Sequence, residues 1–360
     1  MLVLHVGPHK TATTWLQRNF HHNAAALKKA GWLYPQTGER VAIAHHDLSD
    51  NQKDILDDGS RKVARIRKIV ERAAEKKLDI LLSSEGFDKW RPNALARLRA
   101  LVAPHELKIV YTLRDPVSLV YSIWQQKVKT GGPKTFPEHY DEQVRKAGKS
   151  RSLDPLSDIE KFAAVEGSTL TLLLYDEIRR QNRDIFDVFC QDILGIEKLP
   201  HDDAGSANDR EPLEMTEFMR AMLVRMGRWR GDERVNVGQV FKHMLLDSTR
   251  SDIVAAVAAV PDARRSMTVP RDDEALLKME RRLLKKYASL MVPAPGARLF
   301  LDGPAQCDYY DERRLESDPK VKALLDDLTR KFQPGGLRMR MAGAARAALL
   351  GWRRLANRFR

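Results

Sequence analysis

The sequence predicts an α/β fold: a parallel sheet flanked by helices, with a mainly helical C-terminal part. Three observations carry this. Short apolar runs, "MLVLHV", "LDILLSSEGF", "LKIVYTLRD" and "STLTLLLYDE", each stop at a loop and feed a helical pattern. Strands alternating with helices imply a doubly wound parallel sheet. From about residue 211 onward helical stretches dominate, with no convincing strand, and the chain closes on a basic segment.

Taken in order, residues 2–6 read as a short buried strand, and "TTWLQRNFHHNAAALKKAG" as a helix that Gly31 ends. Residues 34–60 have turn residues and weak periodicity and read as a long surface excursion. "RKVARIRKIVERAAEKK" is a polar-faced helix. A second strand covers 79–84 and ends at Glu85-Gly86, a helix follows near 92–103, and the third strand is "LKIVYTLRD". Asp115-Pro116 is a cap and first-turn pair for the helix "PVSLVYSIWQQKVKT". A polar segment, 130–152, precedes the helix "LSDIEKFAAVEG", the fourth strand and a helix ending near Gly195. This places an α/β core at 1–200, a mainly helical extension at 201–332 that completes the core and acceptor site, and a tail at 333–360, set off by "QPGG".

Lys and Arg total 62 against 49 Asp and Glu, a net charge of +13 over 360 residues. That excess favours an acidic partner such as a nucleotide, an acidic glycan or an anionic membrane. The two cysteines, Cys190 and Cys307, are too few for a disulfide framework or a zinc site and fit a reducing compartment. The apolar start is too short for a signal peptide, and no apolar run is long enough to span a bilayer. The expected location is cytoplasmic.

The stretch "HVGPHKTATTWLQ" carries most of the functional signal. A strand that ends in small residues and opens a helix is an anion cradle, because helix-terminal N–H groups and the dipole favour negative charge. Lys10 adds a full charge, and Thr11, Thr13 and Thr14 add hydroxyls. It is not a Walker A loop, since Gly7 is the only glycine ahead of Lys10. A strand-end arginine, Arg114, is followed eight residues on by Ser122, and a guanidinium matches a phosphate bidentately.

"PHKTATTW" resembles the 5′-phosphosulfate loop of sulfotransferases that use 3′-phosphoadenosine 5′-phosphosulfate (PAPS), whose pattern is roughly P-K-[ST]-G-T-T-W. Here His9 is inserted and Ala12 takes the glycine position. Ala12 is tolerated if its φ is negative and strained if φ is positive. The pair Arg114 and Ser122 is similar to the family's 3′-phosphate motif, and "LTLLLYDEI" with "ILGI" to a later segment. The likeness covers residues 1–196 and is nearest to bacterial carbohydrate-type members. It implies a P-loop-NTPase-like sheet and PAPS as co-substrate, with no metal required. It implies donor contacts from His9, Lys10, Thr11, Ala12, Thr13 and Thr14, with Trp15 stacked on the adenine and Tyr175 beside it. It implies transfer of a sulfuryl group to a hydroxyl or amine, the acceptor being a carbohydrate or glycolipid.

Lys10 and the loop amides suit stabilisation of the departing phosphate. The base that takes the acceptor's proton is expected to be Glu85, at the end of the second strand, with His46 or His45 of "AHHDL" as alternatives. Asn208 and Arg210 are weaker candidates near the nucleotide or acceptor. The late basic loop that the family uses for the 3′-phosphate has no visible counterpart. In residues 337–360, with seven arginines and no acid, Met341, Ala345, Leu349, Trp352, Leu355 and Phe359 fall near one helical face. Such a helix can lie on an anionic membrane, bind an acidic polymer or dock on its own kind. No nucleic acid is expected. Two rival functions stand: a P-loop-type kinase, with Glu85 or Asp115 holding Mg²⁺, and a non-catalytic binder of anionic polymer.

Overall fold

The computed structural model describes residues 1–37, 43–146, 150–201, 211–225, 245 and 247–332. The expectations for Asn208, Arg210 and the tail at 333–360 lie outside the described residues. Among those described, no helix is long and apolar enough to cross a membrane.

The chain divides into two compact units. The first comprises Met1–Ile123, Glu142–Asp209 and Val269–Ala305 and holds a six-stranded sheet. Its strands are β1 (Leu2–His5), β2 (Trp32–Leu33), β3 (Asp79–Ser83), β4 (Leu107–Leu113), β5 (Ser168–Leu174) and a late strand, Met291–Val292. The order is β2-β3-β1-β4-β5, then Met291–Val292, and every pairing is parallel. In register, Leu4 of β1 stands between Leu82 of β3 and Ile109 of β4.

The sheet is apolar on both faces, as a parallel sheet covered by helices must be. Period-two alternation sorts the side chains. Leu2, Leu4, Ile80, Leu82, Ile109, Tyr111, Leu172 and Leu174 point into one core, together with Ile66 and Ile69 of α4 (Arg61–Glu75), Leu95 and Leu98 of a helix at Pro92–Leu101, and Ile159 and Phe162 of a helix at Leu156–Ala163. Val3, Leu81, Val110 and Leu173 point into the other, with Leu16 and Phe20 of α1 (Thr13–His22) and Phe186 and Phe189 beyond β5. Asp115 accepts from the Ser118 amide (2.7 Å), capping the helix Pro116–Lys129 as its sequence predicts.

Several expectations are corrected. The first helix breaks at Asn23, where the side chain turns back to the Asn19 carbonyl (3.0 Å) and reaches the Pro200 carbonyl (2.7 Å); a second helix runs Ala24–Lys29. The excursion after it is not loose: it holds β2, a short helix at His46–Ser49 and a 3-10 turn at Gln52–Leu56. The polar segment 130–152 contains a helix, Phe136–Arg145. The C-terminal part is not strand-free, since Met291–Val292 joins the main sheet beside β5, and Arg264–Val269 and Ala305–Tyr310 form a two-stranded sheet. The sheet unit therefore does not end at residue 200.

The second unit comprises Trp124–Asp141, Arg210–Thr268 and Gln306–Arg360. Its helix Leu213–Arg225 packs on Asp247–Ala258 and Pro319–Phe332. At its centre Arg220 is 1% exposed. It donates to Glu217 (2.5 Å), to Glu312 (2.7 Å) and to the Tyr310 carbonyl (3.2 Å). Removing one partner of a buried pair leaves the other charge uncompensated. Arg220→Ala is expected to lower stability by about 3–5 kcal/mol, read by urea denaturation. Adding Glu217→Gln to that variant should recover part of the loss, because the stranded charge is gone.

Candidate functional site

The sequence-predicted residues gather at the carboxyl edge of the sheet, where parallel α/β folds bind ligands. β1 delivers Gly7–Ala12, β3 delivers Ser84 and Glu85, β4 delivers Arg114 and Asp115, and β5 delivers Tyr175.

The loop between β1 and α1 is tightly wound. Lys10 and Ala12 both adopt left-handed backbone, at φ 72° and 60°. Ala12 thus occupies the conformation that favours glycine, at a cost of about 1 kcal/mol. Gly7 is closely surrounded, since a Cβ there would lie 3.1 Å from the hydroxyls of both Thr11 and Thr112. Of the three loop hydroxyls, Thr11 donates to the Pro8 carbonyl (2.7 Å) and Thr13 donates to Glu85. Both are buried, so they hold the loop's shape, while Thr14 and His9 are exposed and Lys10 is half-buried.

Glu85 is 6% exposed and accepts on both oxygens, from the Thr13 hydroxyl and from Gln17 Nε2 (3.1 Å). Burial alone would raise its pKa. The Thr13 and Gln17 hydrogen bonds and its own backbone amide outweigh burial and hold the carboxyl below its ordinary range. A carboxylate so stabilised is a weak proton acceptor and a strong anchor.

The two histidines part company. His45 is 2% exposed. The Ser83 amide donates to its Nδ1 (2.9 Å), so Nε2 carries the proton and donates to the Pro35 carbonyl (2.9 Å). Both ring nitrogens of His45 are thus engaged inside the fold. His46 is exposed, and its Nδ1 lies 2.9 Å from Ser84 Oγ, which also meets Ser49 Oγ (2.7 Å) and accepts from the Gly86 amide (3.2 Å). An imidazole held through Nδ1 presents Nε2 outward.

Arg114 donates to the Lys10 carbonyl and lies over the Tyr175 ring, 5.2 Å from its centroid; Arg179 lies 5.9 Å from the same ring. The strand-end arginine and the loop are therefore in direct contact. Ser122 is buried on its helix. Trp15 is 6% exposed, its indole donates to Asp184 (3.3 Å), and its ring packs in the core.

Sequence reasoning missed three polar residues here. His5, fully buried in β1, bridges Ser83 of β3 (2.8 Å) and Thr112 of β4 (3.2 Å). Arg271 reaches Asp115 (3.1 Å), the Ser118 hydroxyl (3.2 Å) and the Gly303 carbonyl (3.2 Å). Asp176 accepts from the Asp115 amide, and burial pushes its carboxyl up to about 6, with the Asp115 charge adding to the effect against that hydrogen bond. His5 looked like one more residue of an apolar run, and Arg271 lies 156 positions from its partner Asp115.

Two outcomes are expected. Ala12→Gly should raise stability by about 0.5–1 kcal/mol, since relief of the left-handed strain exceeds the added chain entropy; a lower urea midpoint than wild type would contradict the left-handed assignment. Burial lowers the pKa of both His5 and His45 to about 4. Their neutral forms stabilise the fold above pH 6.5, and that contribution is lost as pH falls toward 4, by about 1.4 kcal/mol per pH unit for each ring. Asp176 works oppositely, its contribution being lost as pH rises from about 4 through 6. His45→Gln should therefore flatten the acid limb of stability against pH by one proton's slope, and Asp176→Asn should steepen it, both read by urea denaturation from pH 4 to 7.

Compared with protein-family models, with curated proteins and with solved structures, the chain matches none, so the functional reading rests on these residues.

Proposed function

We propose that the chain is a sulfotransferase that moves a sulfuryl group from PAPS to a hydroxyl or amine of an acceptor. The observation that carries this reading is the contact between the loop that follows β1 and the arginine that ends the neighbouring strand β4. Lys10, in a left-handed loop at the end of β1, touches through its carbonyl the guanidinium of Arg114 at the end of β4. A donor with anionic groups at both ends of a nucleoside would be held by such a pair. The sheet then takes the P-loop-like role that the sequence suggests.

In this reading Lys10, the loop amides and the exposed Thr14 take the sulfated 5′ end. Arg114 takes the 3′ phosphate, and Tyr175, already under two guanidinium groups, borders the nucleoside. Trp15 has no part in it. The donor supplies an electrophilic sulfur: its bond to the phosphate oxygen breaks as the bond to the acceptor forms. Lys10 then faces the negative charge that develops on the departing phosphate. The acceptor's proton passes to His46, which Ser84 orients. Glu85 serves as a positioning residue that fixes the first turn of α1. The kinase reading loses ground on the same details, because Glu85 is bound by Thr13 and Gln17 and Asp115 by Arg271 and the Ser118 amide.

The test is ligand-induced stabilisation. At one hundred times its dissociation constant, 3′-phosphoadenosine 5′-phosphate should add about 2.7 kcal/mol of stability, while ATP with Mg²⁺ adds less. Lys10→Ala should weaken nucleotide binding by about tenfold or more. His46→Asn should cut turnover by about 10²–10⁴ while leaving nucleotide affinity intact. Stabilisation by ATP with Mg²⁺ alone would overturn the reading. Full turnover in His46→Asn would overturn the base.

A further inference from the structure

A groove of about 630 Å³ opens beside the end of β3. One wall is the segment from Ser49 to Lys53, and the other runs from Gly86 to Asn93. The walls are clamped together. Gln52 donates to the Lys89 carbonyl (3.4 Å) and accepts from the Arg91 amide (2.7 Å), while the Trp90 indole donates to the Ser49 carbonyl (2.7 Å). The groove is therefore preformed.

Its charge is lopsided. Lys53, Lys89 and Arg91 are exposed along it, and none has an ion-pair partner among the described residues. Against these three cations stands one carboxylate, Asp50. Exposed Asn51, whose Nδ2 donates to Asp54 (2.5 Å), adds an amide oxygen that accepts, and exposed Asn93, whose Oδ1 accepts from the Ala94 amide (2.9 Å), adds an amide nitrogen that donates, as sugar hydroxyls require. The one aromatic ring in the lining, Trp90, is 1% exposed, so no platform exists for stacking bases. The groove also borders the chemistry. Ser49 in its wall meets the Ser84 hydroxyl that orients His46, and Gly86 follows Glu85 directly.

We infer that this groove binds an acidic oligosaccharide, its carboxylate or sulfate groups held by Lys53, Lys89 and Arg91 and its hydroxyls by the amides. Its role as the acceptor subsite rests on the sulfotransferase reading; its ligand class rests on the groove alone.

The experiment is calorimetric titration of the full chain, with and without 3′-phosphoadenosine 5′-phosphate, using three probes. These are a hexuronate tetrasaccharide, a neutral glucose tetrasaccharide and a single-stranded oligonucleotide of equal charge. The hexuronate should bind at least about tenfold tighter than the neutral sugar and tighter than the oligonucleotide. Raising salt from about 50 to 200 mM should weaken it severalfold. The triple variant Lys53→Gln, Lys89→Gln, Arg91→Gln should lose about tenfold or more in hexuronate affinity, with nucleotide affinity and thermal stability held near wild type. Equal binding of the neutral sugar, tighter binding of the oligonucleotide, no salt dependence, or an unchanged triple variant would each overturn the inference. Nucleotide binding without hexuronate binding removes the groove's role and leaves the proposed function; hexuronate binding without nucleotide binding does the reverse.

Discussion

The grip of the Glu85 carboxylate on the first turn of α1 is the constraint from which the rest of the site follows. It closes a short polar bridge between the end of β3 and the residues that leave β1, through Thr13 and Gln17. The loop between them is then fixed at both ends. At one end, Val6 is hydrogen-bonded to the Val110 carbonyl (2.9 Å) and a Cβ at Gly7 would press on the Thr11 and Thr112 hydroxyls at 3.1 Å. At the other, Thr13 is tied to a buried charge. A chain confined this way must fold its slack inward, and the left-handed residues Lys10 and Ala12 are where it does so. The strain is local, and the buried hydrogen bonds around it sustain it.

The same bridge separates two tasks that a single carboxylate could otherwise combine. Hydrogen bonds that hold Glu85 ionised make it a good anchor and a poor base. In the proposed reaction proton acceptance then falls to a group with an exposed face, and His46 has one, its Nδ1 beside the Ser84 hydroxyl. The positive side of the site is divided in a similar way. Arg271 is matched by Asp115 and the Ser118 hydroxyl, which makes it part of the frame. Arg114 instead bonds the Lys10 carbonyl and lies over the Tyr175 ring, which ties it to the loop and to the end of β5.

The parts of this arrangement that could be read from the chain were those built from local pattern. Four strands announced themselves because short apolar-rich runs, each closed by a turn and followed by a helical pattern, have few other uses. Two-residue strands such as Trp32–Leu33 and Met291–Val292 have no period to detect and are defined only by the strand beside them. The strand–loop–helix form of this stretch was legible, but the division of labour among its hydroxyls was not. Nothing in "KTATTW" distinguishes the buried hydroxyls of Thr11 and Thr13 from the exposed one of Thr14. Trp15 is ambiguous in sequence for a related reason. A tryptophan beside a candidate ligand loop fits a stacking role and a packing role equally, and the partner that holds its indole, Asp184, lies 169 residues away. His45 and His46 are neighbours in sequence with opposite fates, because one ring meets the amide of β3 and the other faces outward.

The turn that follows β3 joins the two sides of the proposed reaction. Glu85 faces α1 and the anion loop, and Gly86, the next residue, lines the basic groove. Gly86 has no latitude there: a Cβ would come within 2.8 Å of the Ser49 Cβ and closer still to its hydroxyl. Ser49 in turn touches the hydroxyl that orients His46. Donor loop, proton acceptor and groove wall are therefore connected through three consecutive residues, Ser84, Glu85 and Gly86. Any shift of that turn would move all three at once. A site that must bring two bound molecules to within bonding distance gains most from such a shared support, because errors of position on the two sides become correlated and their separation stays fixed.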